Sequence, residues 1–224
     1  CELNTSYSQR ELLRQFIAAY PDARFTMTTF PNAETPEFLL NGQADLGFYY
    51  SVSPKRPKGL QSITLYNEPV FPSVAAGHPL LAKSEVTWED LAACPVVHTH
   101  ESCVFFNGYL QRLKTRGLAP ARVSLLGNVA LVAKQAKADG SIILVSFQSQ
   151  KCMQDEYDIY PLRLAGEPLR FWESVLYRKD AADNPALRRM VRFAVHYADA
   201  QILSHPEALL RPPEWADEIA GFAE

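Results

Sequence analysis

The chain has 224 residues, of which 47% are hydrophobic and 21% charged, a mixture typical of a globular protein with one large domain or two lobes. Its formal net charge of −3 argues against a nucleic-acid surface, which is usually basic. No apolar run approaches the roughly 20 residues that span a bilayer, so no membrane contact is expected. The four cysteines, Cys1, Cys94, Cys103 and Cys152, lack metal-finger spacing and suit reduced thiols in the cytoplasm.

The first 50 residues predict alternating helices and strands. An apolar stripe predicts a helix over 11–20, capped by Ser6 or Ser8 and stopped by Pro21. Residues 24–30 alternate as in a strand, and Thr35 before Pro36 is typical of the start of a short helix, which ends at Gly42. Residues 44–50 then predict a buried strand. A helix between two strands indicates a right-handed parallel βαβ unit.

The rest of the chain continues the alternation after a Pro-rich loop at 51–60. Two strand-like runs lie within 61–76, interrupted at Asn67, Glu68 and Pro69. Later elements are a helix at 88–92 opened by Ser84 or Thr87, a strand at 96–97, a helix over 105–116, a strand at 123–126, a helix from the Asn128 cap to Gly140, a strand at 141–147, a long strand at 170–178 and a helix capped by Asn184. This order predicts a mainly parallel α/β fold in two lobes, joined near 68–73 and 170–176.

Six segments carry a resemblance to a known family. They are YPDA at 20–23, NGQADLGF at 41–48, GLQSITLYNEPVFPSVAAGHPL at 59–80, VTWEDLAACPVV at 86–97, LGNVALVAKQAKADGSIILVSF at 126–147 and LYRKD at 176–180. Each is weak alone, but their order and spacing together resemble the effector-binding domain of LysR-type transcriptional regulators. The resemblance covers about residues 6–197. The tail after Tyr197 is longer than is usual in the family, and a lobe-packing helix or an oligomer contact is expected there.

The resemblance implies a two-lobed fold of the type 2 periplasmic-binding-protein class, in which two crossover strands join the lobes. Lobe I would comprise 1–70 and 171–224, and lobe II 71–170, with a ligand cleft between them. It implies a cytoplasmic ligand-sensing domain, dimeric by itself and tetrameric in the full protein, that reaches DNA only through a separate N-terminal winged helix. Neither an enzyme nor a cofactor is expected, because no catalytic triad, phosphate loop or paired-carboxylate motif stands out.

The predicted binding site consists of the loops at the carboxyl ends of the strands, where α/β folds place ligands. Hydroxyl, amide and aromatic groups there suit a small organic acid, and helix amides can hold an anion. These loops lack an evident Arg or Lys clamp, so a monocarboxylate or a neutral polar ligand is favoured over a dicarboxylate. The predicted site residues are Asn4, Thr5, Ser6, Phe30, Asn32, Tyr49, Tyr50, His100, Glu101, Ser102, Cys103, Asn128, Val129, Ser146 and Phe147.

The segment HTHESC at 98–103 offers two further interpretations. Two histidines, a carboxylate and a thiol could hold a transition metal. On a strand, His98 and His100 would share a face while Thr99 points away, and Cys103 lies past a turn. Polar contacts to a ligand, with one histidine exposed at the rim, are therefore favoured over a metal. Cys103 precedes a predicted helix, whose dipole would favour a reactive thiolate and hence oxidant sensing. No second cysteine follows one helix-length later, which favours a plain pocket residue. A third alternative is a solute-binding lipoprotein anchored through Cys1.

Overall fold

The computed structural model describes residues 7–26, 31–54 and 56–211. The described residues form two compact units. Unit 1 falls within 1–68 and 171–224, and unit 2 is 69–170. Two strands, β2 (Leu60–Ala75) and β7 (Leu169–Arg178), have residues in both units. Along the described residues, no helix combines the length and the apolar character that crossing a bilayer demands.

Unit 1 contains the helices α1 (Tyr7–Ala19), α2 (Thr35–Leu40) and α7 (Pro185–Ser204), and the strand β1 (Leu46–Ser51). Strand β1 pairs antiparallel with β7, which lies between β1 and β2. Helix α1 packs against α7, where the ring centroids of Phe16 and Phe193 lie 5.4 Å apart. The Asn184 side chain caps α7 by accepting from the Ala186 amide at 2.9 Å, as the sequence predicts.

Unit 2 contains the helices α3 (Trp88–Ala92), α4 (Val104–Lys114), α5 (Val129–Asp139) and α6 (Gln150–Tyr157). Its strands are β3 (Val96–His98), β4 (Val123–Leu125), β5 (Ile143–Ser146) and β6 (Ile159–Pro161). Strands β3 and β4 are parallel, and a parallel bridge joins Val96 to Ile142 just before β5. The second half of β2 pairs antiparallel with β5 and β6.

Local signals explain where several helices begin and end. Thr87 and Asp90 form a reciprocal capping box at the start of α3, with bonds of 3.2 and 3.0 Å. Helix α5 ends at Gly140, whose φ of 71° is left-handed and whose α-hydrogen faces the His78 ring. A Cβ at this glycine would lie 3.3 Å from that ring, so the motif His78-Pro-Leu packs against the end of α5.

Three sequence predictions require correction. Strand β2 is continuous over 16 residues and is not interrupted at 67–69, because the strand passes from one unit to the other with Glu68 fully buried. Thr35 is not a cap: it is the first residue of α2 and is buried, and the Glu34 position before it makes no side-chain cap bond. Helix α6 and strand β6 were not predicted, since only Cys152 and Met153 of α6 are buried and no periodic apolar stripe marks it.

The predicted strand at 24–30 lies partly outside the described residues. Residues 24–26 are described and are not in a strand, and 27–30 are not among the described residues. Among the described pairings, β3 with β4 is parallel, whereas β7 with β1, and β2 with β5 and β6, are antiparallel.

Candidate functional site

The strand ends of unit 2 bring several predicted site residues to one edge. Because β3, β4 and the start of β5 are mutually parallel, their carboxyl ends at His98, Leu125 and Ser146 lie at the same edge of the sheet. Two backbone bonds hold the loops together beyond the strands: the Leu126 amide donates to the His98 carbonyl at 3.0 Å, and the Gly127 amide to the Thr99 carbonyl at 2.9 Å. We call this the unit 2 edge.

Helices α4, α5 and α6 all begin at the unit 2 edge. Asn128 caps α5, since its Oδ1 accepts from the Leu131 amide at 2.9 Å. The hydroxyl groups of Ser146 and Ser149 lie 3.0 Å apart just before α6. The partial positive charge of helix N-termini makes such an edge suitable for an anionic or strongly polar ligand. Val129, the first residue of α5, is half-buried and packs against the core of unit 2.

The loop from His100 to Cys103 is a tight turn closed by a histidine ring. His100 Nδ1 lies 2.8 Å from Ser102 Oγ and accepts from the Ser102 amide at 3.2 Å. The Cys103 amide donates to the His100 carbonyl at 3.2 Å. His100 and Glu101 are exposed, whereas Ser102 is half-buried. The turn therefore presents polar groups at the entrance of α4, as predicted for one exposed histidine.

Cys103 lies at the predicted position before α4, and its chemistry argues against the oxidant-sensing alternative. Burial raises the pKa of the thiol, and the opposing effect of the Phe106 and Phe105 amides is smaller. A thiol with a raised pKa is mostly protonated near neutral pH and reacts slowly. The helix start thus does not make Cys103 a thiolate, because desolvation outweighs the helix amides.

His98 belongs to the core and not to a metal site. It is 8% exposed, and its ring stacks on Phe106 with centroids 5.7 Å apart. Burial lowers the pKa of His98 to about 4, so the ring is neutral at pH 7. Strand β3 ends at His98, so strand alternation does not extend to His100, and the two rings do not share a face. Throughout the described ranges, no group of three His, Cys, Asp or Glu side chains could hold a metal ion.

In unit 1, Asn32 fixes the end of β1. Its side chain makes two bonds to the backbone of Tyr50: Oδ1 accepts from the amide at 2.7 Å, and Nδ2 donates to the carbonyl at 2.9 Å. The Tyr50 hydroxyl donates to Glu173 Oε2 at 3.1 Å, and both side chains are buried. Tyr49 is half-buried and packs beside Leu39 and Leu176. Asn32 and Tyr50 are therefore neighbours, as the strand-end rule predicts.

Gln9 and Glu173 were not identified from the sequence. Gln9 is in the first turns of α1, and its Nε2 donates to Glu173 Oε1 at 3.0 Å. Glu173 thereby links α1 to the Tyr50 end of β1. The two residues are 164 positions apart, and no local pattern relates them. Four predicted residues, Asn4, Thr5, Ser6 and Phe30, lie outside the described residues.

Comparison with protein-family models decides the identity of the domain. The model of the LysR substrate binding domain matches residues 5–199. The chain belongs to this family. The predicted α/β class with the two-lobed periplasmic-binding-protein-like fold is confirmed, and the domain is a ligand-sensing regulatory domain of LysR-type transcription regulators. The family is regulatory and not an enzyme family, and it favours this function over a solute-binding lipoprotein or a thiol sensor.

Similar proteins agree with the LysR assignment. The HTH-type transcriptional regulator SsuR of Burkholderia cenocepacia is 25% identical over 91 residues, which are 41% of this chain but only 29% of that protein. The regulatory domain of Synechocystis CcmR has a TM-score of 0.72 at 14% identity, with 86% of this chain and 91% of that chain covered. The BenM effector-binding domain gives 0.69 at 17% identity, with 92% and 90% covered. At these identities the structural likeness shows the fold.

Proposed function

We propose that the domain binds a small effector in a cleft between lobe I (1–70 and 171–224) and lobe II (71–170), using the site residues predicted from the sequence. The observation that carries this proposal is the unit 2 edge, where three helices begin beside His100–Cys103, Asn128 and Ser146. In unit 1, the Asn32–Tyr50 pair occupies the corresponding strand end of β1. Helix amides, caps and hydroxyl groups at strand ends are the usual elements of ligand sites in α/β folds.

The favoured effector is an organic monocarboxylate or a neutral polar molecule. The groups at the unit 2 edge are helix amides, a serine hydroxyl and an exposed imidazole, which can hold one anionic group without a cationic clamp. Two relatives of the same fold bind ligands of this kind: the BenM effector domain was solved with benzoate and that of QuiR with shikimate. Their sequence identities are 17% and 15%, so they support the class of ligand only by analogy.

In the intact regulator, effector binding would stabilise one arrangement of the lobes and so change how the subunits pack. We expect this domain to form dimers, and the whole protein to form tetramers in the cytoplasm that contact DNA through an N-terminal domain. A full-length relative, CbnR, has been solved in complex with its target DNA, and this chain covers 66% of it.

A thermal-shift screen tests the proposal. The panel comprises aromatic and aliphatic monocarboxylates, their amides and matched dicarboxylates. A ligand that binds only the folded state at a hundredfold excess over its Kd stabilises by about 2.7 kcal/mol. The Ser102→Ala and Asn128→Ala variants should each weaken binding roughly tenfold, the equivalent of about 1.4 kcal/mol.

The control for this screen is Ser84→Ala, which changes an exposed serine before α3 and should leave the shift unchanged. Each variant is compared with itself without ligand, because loss of the Asn128 cap lowers stability even without a ligand. Tight binding of a dicarboxylate, or equal shifts in all variants, would contradict the proposed site and ligand class.

A further inference from the structure

The chain beyond α7 returns to the body of unit 1. After Ser204 it turns at His205, and residues Ala208 and Leu209 are buried, Leu209 to 1% exposure. Leu210 then pairs with Asn67 of β2 in both directions: the Asn67 amide donates to the Leu210 carbonyl at 2.9 Å, and the Leu210 amide to the Asn67 carbonyl at 3.0 Å. We call residues 205–211 the strap.

The strap meets β2 beside the point where the chain passes from unit 1 to unit 2. The division between the units falls after Glu68, one residue from Asn67. The next residue, Pro69, has no amide hydrogen and cannot donate to a neighbouring strand. The backbone bonds of Asn67, just before this proline, are therefore important for holding β2 in place where the chain passes between the units.

The strap lies beyond the part of the chain that the family model matches. The family model matches residues 5–199, so the strap begins after the match ends. An ion pair between Arg211 and Asp199 of α7 also holds its end. The contacts thus combine a buried leucine, a two-bond bridge and an ion pair, all within unit 1.

We infer that the strap is a conformational brake on the β2 crossover. Its bridge to Asn67 restrains the backbone where the two units join, and releasing it makes the crossover easier to open. This inference rests on the proposed function in one respect: the brake matters for signalling because lobe movement is proposed to carry the effector signal. The restraint itself does not require an effector, so it can be measured on the domain alone.

Hydrogen exchange of the 224-residue chain without ligand tests the brake. Leu210→Pro removes the amide that donates to Asn67, and Leu210→Ala is the matched control because Leu210 is exposed and alanine keeps the amide. With the proline, exchange across 60–75 should become at least about tenfold faster, corresponding to about 1.4 kcal/mol of local opening. The alanine variant should exchange like the parent. Faster exchange confined to 205–211 would overturn the inference.

A second variant works in the opposite direction and does not depend on the proline variant folding. Residues that exchange both bonds in an antiparallel pair have Cα atoms about 5.5 Å apart, within the range of a disulfide. The double variant Asn67→Cys, Leu210→Cys should therefore exchange more slowly at 60–75 when oxidised than the same variant does when reduced. Equal rates in both redox states would refute the brake. Neither outcome bears on the effector screen, which tests the binding site separately.

Discussion

Arg178 is expected to be a main stabilising residue of the turn between α2 and β1. Its Nη1 donates to the Leu39 carbonyl at 2.9 Å and to the Ala44 carbonyl at 3.0 Å. Its side chain is 21% exposed, and it also pairs with Asp45 and Asp180, which are 72% and 77% exposed. The Arg178 guanidinium, in the segment LYRKD at 176–180, thus holds the turn NGQAD at 41–45. This contact gives a physical reason for two of the six segments that resemble the family.

The expected loss of stability follows from these bonds. A hydrogen bond to a charged group contributes about 1.5–3 kcal/mol, whereas ion pairs with exposed carboxylates contribute about 0–1 kcal/mol. The Leu39 carbonyl also accepts from the Gly42 amide, so it keeps one partner when the guanidinium is removed. We therefore expect Arg178→Met, which keeps the apolar stem, to lower the free energy of unfolding by about 2–4 kcal/mol.

Urea denaturation followed by circular dichroism measures this loss. Arg178→Lys should recover no more than half of it, since a single ammonium cannot bond both carbonyls and also pair with Asp45 and Asp180, for which arginine uses Nη2 and Nε. Arg163→Met is the matched control, because Arg163 is exposed and pairs with the exposed Glu85, so its loss should cost less than about 0.5 kcal/mol. If Arg178→Met costs no more than Arg163→Met, or if lysine restores full stability, the clamp argument is wrong.

Three other predictions concern single sites. Gly47→Ala places a Cβ 2.6 Å from Thr35 Cγ2, so it should destabilise by about 1–3 kcal/mol in urea, and less in a Thr35→Ser background. Burial lowers the pKa of His98 from 6.5 to about 4, so the free energy of unfolding should be highest above pH 6.5 and fall by up to about 3 kcal/mol as the pH drops to 4. In the His98→Phe variant, the free energy of unfolding should vary less over that pH range. Because burial raises its pKa, Cys103 should alkylate more slowly at pH 7.5 than free cysteine, by mass spectrometry against Cys103→Ser. A rate equal to or faster than that of free cysteine would contradict this.

Helix ends were predictable because their signals are local. The Thr87–Asp90 box, the Asn128 and Asn184 caps and the left-handed Gly140 are each determined within four residues. Helix α6 was missed because it has neither a side-chain cap bond nor an apolar stripe. Propensity rules therefore identified the helices that carry their own termination signals and missed the one that depends on tertiary packing.

The sequence did not predict which side chains of the candidate site are buried. The strand-end rule found the loops of the unit 2 edge, since it depends only on strand order. It could not show that desolvation outweighs the helix amides at Cys103, or that His98 turns into the core. The same limit applies to β2: a proline after two polar residues predicts a break, but Asn67 has a backbone partner 143 positions away in the chain, and the strand continues.

Among the described residues of unit 1, two buried carboxylates lie on the crossover strands. Glu68 is 0% exposed and is the last residue of unit 1 on β2, and Glu173 is 1% exposed and lies two residues after the chain re-enters unit 1 on β7. Burying a carboxylate costs several kcal/mol unless hydrogen bonds compensate. At Glu173 the compensation comes from Gln9 and Tyr50, which ties the first turns of α1 and the end of β1 to the crossover. Any displacement of β7 therefore acts on α1 and on the Asn32–Tyr50 part of the proposed site together.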